Sequence, residues 1–254
     1  MIVLKFGGAA LRSLDQFQKV AMIIIQKRAE YDRIVVVVSA MGTMTSELLA
    51  LAHKIMPEPP KREQDMLISV GERISMALLA MTLLKEGYQA ISFTGSQAGI
   101  ITCSEHSEAK VVQVRPKRLL PHLDAGKIVI IAGFQGVSEG GEITTLGRGG
   151  SDTTAVALAV ALKAKRVEFY KDVKGIFAAD PKLDPHSEYI PKLSYTEAIK
   201  IIERCQKQVL HARAVQLAKK NRIPLFVKSF EELSEGSLII GEEEGGVLEP
   251  QYEL

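Results

Sequence analysis

The uninterrupted apolar run "IVVVV" at 34–38 is the feature that most constrains the fold of this chain. A continuous β-branched stretch of this kind is typical of a strand buried on both faces, as in the centre of a parallel sheet. Similar runs recur at 1–6, 87–95, 127–137, 166–173 and 223–230, and helical patterns separate them. The alternation predicts an α/β protein, a three-layer α/β/α sandwich with a largely parallel central sheet.

The predicted sheet spans nearly the whole chain. "FQGV" and "EITTLG" flank "SEGG", which is typical of a hairpin. No low-complexity linker or internal repeat divides the sequence, so we expect one domain over 1–240. Residues 241–254 are acidic, and we expect them to form a solvated tail.

Composition excludes some classes of function. The net charge of +2 and the lack of an aromatic-interleaved basic patch argue against nucleic-acid binding. No uninterrupted apolar run approaches the ~20 residues of a membrane span, and the first residues lack a signal-peptide pattern. We therefore expect a cytoplasmic protein without a membrane partner. Its two cysteines, Cys103 and Cys205, form no CxxC pair, so we expect buried thiols.

The stretch "TTLGRGGSDTTAVALAVAL" at 144–162 is the strongest candidate for a ligand site. Its glycines allow a ligand to approach the backbone, and Ser151 or Asp152 is positioned to cap a helix over 153–162. A helix start favours an anion, and Arg148 can bind phosphate or carboxylate in a bidentate manner. A tight turn before a capped core helix explains the same residues without a ligand.

Other candidate residues follow predicted strands, where open α/β sheets bind ligands. Lys5 precedes the glycine pair 7–8, Ser39 and Thr45 follow the valine strand, and the loop after 173 carries Asp180 and Lys182. Capping or turn formation accounts for each of them separately. The sequence contains neither GxxxxGK[ST] nor a protein-kinase motif, so neither mechanism is supported. Glycine loops with a lysine and an arginine at strand ends nevertheless indicate a nucleotide-phosphate site.

Taken together, the motifs resemble those of the aspartate kinases within the amino acid kinase family. They are "KFGG" at 5–8, "VSAMG" at 38–42, "SVGER" at 69–73, "TTLGRGGSDTTA" at 144–155, "KDVKGIFAADP" at 171–181 and "VLH" at 209–211. They occur in the family's order over about 1–240. The two longest motifs, at 144–155 and 171–181, in combination separate aspartate kinases from relatives that act on other acceptors.

The resemblance implies a role for each matching residue. Lys5 and Asp152 would be catalytic, and no metal ligand is assigned. Thr45, Glu72, Arg148 and Ser151 would bind L-aspartate, with Glu72 on its ammonium and Arg148 on a carboxylate. ATP would contact Lys5, Phe6, Gly7, Gly8, Ser39, Gly149, Gly150, Lys171, Asp172, Phe177, Asp180 and Lys182.

The implied reaction is phosphoryl transfer from ATP, with Mg²⁺, to the β-carboxylate of L-aspartate, the first step towards lysine, threonine and methionine. The acceptor is already an anion at neutral pH, so alignment and charge neutralisation suffice for catalysis. The resemblance stops before the regulatory domains that aspartate kinases usually carry. We therefore expect a homo-oligomer, most simply a dimer, without inhibition by lysine or threonine unless a separate regulatory subunit binds.

Four positions depart from the family pattern. Ala9 and Ala10 replace the usual Thr-Ser, Gln208 replaces a lysine, and Ala212 replaces a proline. Ala9 and Ala10 remove hydroxyl groups, and Gln208 removes a cation. All of these groups would lie near the phosphates. These changes leave two alternatives open, which are a kinase for another small carboxylate and a nucleotide-binding pseudokinase that acts as a regulatory partner.

Overall fold

The elements of the fold come from a computed structural model that describes residues 1–179, 184, 186–204, 209–232, 235–241 and 249–253. The strands are β1 (Ile2–Phe6), β2 (Ile34–Val38), β3 (Ala90–Phe93), β4 (Ile100–Thr102), β5 (Val111–Val114), β6 (Ile128–Ala132), β7 (Gln135–Ser138), β8 (Ile143–Thr145), β9 (Val167–Lys171), β10 (Ile176–Phe177), β11 (Tyr189–Ile190), β12 (Lys192–Leu193), β13 (Leu225–Ser229) and β14 (Ser237–Ile239). The helices are α1 (Leu14–Lys27), α2 (Met44–Ile55), α3 (Lys61–Ile68), α4 (Val70–Lys85), α5 (Leu120–Asp124), α6 (Gly150–Leu162), α7 (Tyr195–Arg204) and α8 (Ala212–Asn221).

The central sheet has the strand order β12-β14-β13-β9-β1-β2-β6-β3. Its pairs from β13 to β3 are all parallel, and β14 runs antiparallel to β13. This arrangement confirms the predicted α/β/α class with a largely parallel sheet. The carboxyl ends of β9, β1 and β2 therefore lie side by side at one edge of the sheet.

The valine strand β2 shows why helices cover both faces of the sheet. Val35 and Val37 pack in the core beneath α6, whereas Val36 and Val38 pack with α1 and α4 on the other face. Side chains alternate between the faces of a strand, so a run that is apolar at every position needs a cover on both sides. The continuous run therefore produced a three-layer packing.

Helix α6 lies at the centre of the molecule, and nearly all of its residues are buried. It begins at Gly150 after Gly149, which has a φ of 71° and makes no side-chain capping bond. The prediction that Ser151 or Asp152 caps this helix is wrong, because both residues lie inside its first turn. The left-handed backbone conformation of Gly149 precedes the helix in place of a capping side chain. The Asp152 carboxylate is therefore available to other partners.

A second, smaller sheet has the strand order β5-β4-β7-β8. Its strands β7 and β8 are antiparallel, which confirms the predicted hairpin around "SEGG". Strand β8 ends at Thr145, just before the glycine-rich loop. The loop therefore connects the hairpin directly to the start of α6.

Helices α3 and α4 form a nearly continuous stretch, Lys61–Lys85, that is long and apolar enough by length and composition to cross a membrane. Glu72 and Arg73 interrupt the apolar run within it, which is why the sequence contains no uninterrupted run of that length. Asp65 and Glu72 are both buried in this stretch and accept hydrogen bonds from other parts of the protein. These contacts are those of a core helix.

Candidate active site

A cleft of about 610 Å³ opens at the carboxyl ends of β9, β1 and β2. Volumes of this size suit a small-molecule ligand. Its walls are formed by Lys5, Gly8, Ser39, Ala40, Gly42, Thr45, Leu49, His53, Gln64, Ile68, Glu72, Ser107, Phe134, Thr145, Gly147, Arg148, Gly149, Gly150, Ser151, Asp152 and Lys171. The motifs that lie far apart in the sequence therefore meet in one place.

Asp152 joins the ends of two strands inside this cleft. Lys5 Nζ lies 2.7 Å from Asp152 Oδ1, and Lys171 Nζ donates to Oδ2 at 3.1 Å. Lys5 lies near the end of β1 and Lys171 ends β9, while Asp152 lies in the first turn of α6. The two ammonium groups are thus held close together by one carboxylate, in the geometry needed to bind a polyanion such as a phosphate chain.

The charges of this cluster depend on one another. Burial opposes ionisation of Asp152, but the charges of Lys171 and Lys5 outweigh burial and lower the pKa of its carboxyl to about 2. Burial also lowers the pKa of Lys171 to about 8, against the opposing charge of Asp152. Asp152 is therefore an anion throughout the physiological range and holds both lysines in place.

Glu72 provides a second anionic group in the cleft. Its Oε1 accepts the Ala40 N–H at 3.0 Å, whereas its Oε2 is buried and has no hydrogen-bond partner among the residues that the structure describes. Gly71 allows this approach, since a Cβ there would lie 2.7 Å from the Ala40 side chain. Burial raises the pKa of Glu72 to about 7, although the Ala40 N–H and Lys5 act against the shift. A buried carboxylate oxygen facing a cleft is suited to bind a ligand ammonium.

The glycine-rich loop carries Arg148 over the cleft. Gly149 has a φ of 71°, and a Cβ there would lie 2.2 Å from His211 Cβ at the start of α8. Only glycine fits both the conformation and the contact. The Arg148 side chain is exposed at the cleft wall, where its guanidinium is available to a carboxylate or phosphate.

The structure brings most of the predicted site residues to this cleft, and others lie outside it. Among the predicted substrate residues, Thr45, Glu72, Arg148 and Ser151 all line the cleft, as do the predicted catalytic residues Lys5 and Asp152. The predicted ATP residues in its wall are Lys5, Gly8, Ser39, Gly149, Gly150 and Lys171. Gly7 does not line it but lies beside Lys5, since a Cβ on Gly7 would be 3.6 Å from Lys5 Nζ.

The remaining predicted ATP residues lie elsewhere. The Phe6 side chain is fully buried on the opposite face of β1 from Lys5 and stacks on Tyr170 with a centroid distance of 4.6 Å. Asp172 is exposed after β9, and Phe177 packs edge-on against Tyr189. Asp180 and Lys182 lie outside the described residues, as do Cys205 and Gln208. The Phe6 side chain therefore does not reach the cleft, and the roles of the others stay predictions.

Sequence reasoning missed Asp65, which organises one wall of the cleft. Its carboxylate is fully buried and accepts hydrogen bonds from the Thr145 hydroxyl at 2.6 Å, the Thr145 N–H at 3.0 Å and the Ser107 N–H at 3.0 Å. His106 Nδ1 lies 2.9 Å from the same carboxylate. The available signal was an acid on the predicted helix before "SVGER", but its partners come from distant segments and cannot be identified from spacing.

Residues 1–229 match the family model described as "Amino acid kinase family". The chain belongs to the amino acid kinase family. It is also 49% identical over 239 residues to an aspartokinase of Geobacillus stearothermophilus. That match covers 94% of this chain and 58% of the relative, so the chain spans little more than half the length of the curated relative.

Solved structures of aspartate kinases superpose on this member of the family. Aspartate kinase from Synechocystis matches with a TM-score of 0.82 and 42% identity, over 95% of this chain and 40% of that one. E. coli aspartokinase III in complex with aspartate and ADP matches with a TM-score of 0.86 and 28% identity, over 96% of this chain and 65% of that one. The amino acid kinase fold and the aspartokinase likeness therefore agree.

Proposed function

We propose that this chain transfers the γ-phosphoryl group of MgATP to the β-carboxylate of L-aspartate and forms 4-phospho-L-aspartate and ADP. The observation that carries the proposal is the joint presence, in one cleft, of the Lys5–Asp152–Lys171 cluster and the buried Glu72 Oε2, which no described residue bonds. The first suits a phosphate chain and the second suits an amino acid ammonium. The similarity to aspartokinases, one of them described with aspartate and ADP, supports the same pair of ligands.

The nucleotide phosphates would lie between the two lysines and the start of α6. Both ammonium groups and the helix N-terminus favour negative charge there, and the wall glycines permit close approach. Mg²⁺ would enter with ATP, because this ion usually binds through substrate phosphates with few protein ligands. It would neutralise phosphate charge during transfer.

Aspartate would be held at both ends. Its ammonium would pair with Glu72 Oε2 and a carboxylate with Arg148, while Thr45 and Ser151 line the same cleft. A β-carboxylate oxygen would form the new P–O bond as the bond from the γ-phosphorus to the β,γ-bridging oxygen breaks, with ADP as the leaving group. The residues of this chain align the two anions and offset their repulsion, and no general base is needed.

Two departures from the family pattern support functions other than aspartate phosphorylation. Ala9 and Ala10 follow the glycine pair in a short 3-10 helix, Gly8–Leu11, and supply no hydroxyl groups. A kinase for another small carboxylate and a nucleotide-binding pseudokinase therefore remain the competing functions. A place early in lysine, threonine and methionine synthesis, a homodimer and a separate regulatory subunit are further proposals that rest on the same similarity.

Incubation of the purified chain with MgATP, L-aspartate and hydroxylamine tests the proposal, because an acyl phosphate reacts to a coloured hydroxamate. Hydroxamate that depends on both ATP and aspartate is the expected result. Parallel reactions with L-glutamate, N-acetylglutamate and succinate test the other acceptors. Turnover of one of these in place of aspartate, or ATP binding by calorimetry without any turnover, would reject aspartate kinase activity.

A further inference from the structure

The C-terminal segment 250–253, here called the strap, is docked along the side of the domain. Gln251 exchanges two hydrogen bonds with the Asn221 side chain, at 2.7 and 2.8 Å. The Glu253 N–H donates to Val111 O at 3.0 Å, and the Val111 N–H donates to Glu253 Oε2 at 2.6 Å. The strap therefore joins the end of α8 to the edge strand β5, whereas the sequence had led us to expect a solvated tail here.

Arg213, in the first turn of α8, connects the strap to the glycine-rich loop. Its guanidinium donates to both carboxylate oxygens of Glu253, with the Nη2 to Oε2 distance at 2.7 Å. It also donates to Leu146 O from Nη1 and to Ala109 O from Nη2, each at 2.5 Å. Leu146 directly precedes Gly147, so one arginine bonds at the same time to the strap and to the base of the loop that carries Arg148.

The loop needs such support because its glycines do little to restrict its backbone conformation. Gly147 and Gly149 both have positive φ values, 70° and 71°, and glycine has more conformational freedom than any other residue. Helix α8 supports the loop at two points, through Arg213 at Leu146 and through the His211 ring against Gly149. A charge-assisted bidentate pair fixes direction as well as distance.

We propose that Glu253 and Arg213 are positioning residues for substrate binding, and that the docked strap holds the glycine-rich loop in the conformation that presents Arg148. The effect on substrate rests on the proposed function, whereas the effect on the loop does not. When the strap is released, the loop samples other conformations and only a fraction of molecules is competent to bind. The apparent affinity for the carboxylate acceptor falls by that fraction.

The test compares Glu253→Gln with Glu249→Gln in the 254-residue chain. Glutamine has nearly the shape of glutamate but removes the charge-assisted pair with Arg213, whereas Glu249 is exposed immediately before the strap. Hydrogen exchange measured by mass spectrometry should show faster exchange in a peptide over 144–151 for Glu253→Gln and no change for Glu249→Gln. Steady-state kinetics should show an aspartate KM raised about tenfold, with kcat within about twofold of the parent chain.

Arg213→Lys provides a second variant that keeps the positive charge but loses the forked geometry. It should show the same local exchange and the same KM change. Unchanged exchange over 144–151 in a folded Glu253→Gln chain would overturn the proposal. Faster exchange over the whole domain, or a loss in kcat without a KM change, would also overturn it, because both indicate a general structural role. Failure of the parent chain to phosphorylate aspartate would reject the proposed function, and the exchange data would still decide the role of the strap.

Discussion

Replacement of Glu72 by glutamine tests how the cleft binds an amino acid. Glu72 is 2% exposed and its Oε1 accepts the Ala40 N–H, whereas no group in the described part of the chain bonds to its Oε2. Glutamine can still accept the Ala40 N–H, so the local fold should persist. The variant lacks only the negative charge that would meet the aspartate ammonium.

The magnitude follows from the loss of one buried charge-assisted contact. Hydrogen bonds to charged groups contribute about 1.5–3 kcal/mol, and about 1.36 kcal/mol corresponds to a factor of ten. We therefore expect Glu72→Gln to raise the aspartate KM about 10- to 150-fold while the ATP KM changes little. The nucleotide phosphates would contact Lys5 and Lys171 instead, and the substitution leaves both unchanged.

The pH dependence gives an independent reading of the same group. Burial raises the Glu72 pKa to about 7, so the side chain is an anion above that pH and neutral below it. Because only the anion pairs with an ammonium, kcat/KM for aspartate should fall as the pH drops through about 7. In Glu72→Gln this decrease at acidic pH, the acidic limb of the profile, should be absent.

Initial rates of ADP release, measured over a range of pH at varied aspartate and saturating MgATP, provide the assay. Glu86→Gln, at the other end of α4, is the matched control, because Glu86 accepts a hydrogen bond from Gln18 far from the cleft wall. It should behave like the parent chain. An unchanged aspartate KM in Glu72→Gln, together with a retained acidic limb, would refute the assignment of Glu72 to the ammonium.

Three further substitutions probe the rest of the cleft. Asp152→Asn should lower kcat by about 10²- to 10³-fold while calorimetry still detects MgATP binding, because its two lysine partners lose the anion that orients them; full kcat would reject that role. Arg148→Ala should raise the aspartate KM and lower kcat together in steady-state kinetics, and an unchanged KM would contradict carboxylate binding. Gly149→Ala should lower the melting temperature more than Gly141→Ala, because both have positive φ but only the first adds a Cβ 2.2 Å from His211; equal melting temperatures would contradict the packing argument.

The general fold was predictable from local patterns. The run at 34–38 predicted a doubly covered strand, and its alternate valines indeed pack in two different cores. The turn residues "SEGG" predicted a hairpin that β7 and β8 form. Strand burial and hairpin formation depend on neighbouring residues, and for that reason these predictions needed no knowledge of distant contacts.

The sequence predicted which residues form the candidate site, but not how they contact each other. Strand ends and glycine motifs, interpreted through the family resemblance, predicted Lys5, Glu72, Arg148 and Asp152, and all four line the cleft. Their partners were not predictable. The capping role expected for Asp152 was wrong, because two lysines from neighbouring strands compete for the carboxylate and a glycine conformation begins the helix.

The sequence by itself determined which segments become strands and helices, and therefore that the chain forms a parallel sheet covered on both faces. Only the tertiary structure decided that Asp65 anchors Thr145, that His211 packs on Gly149, and that Arg213 joins the strap to Leu146. Secondary structure follows from periodicities and turn residues within a few positions of each other. A buried hydrogen bond or ion pair depends on which distant groups the packed sheet places within about 3 Å of each other, and no local pattern encodes that distance.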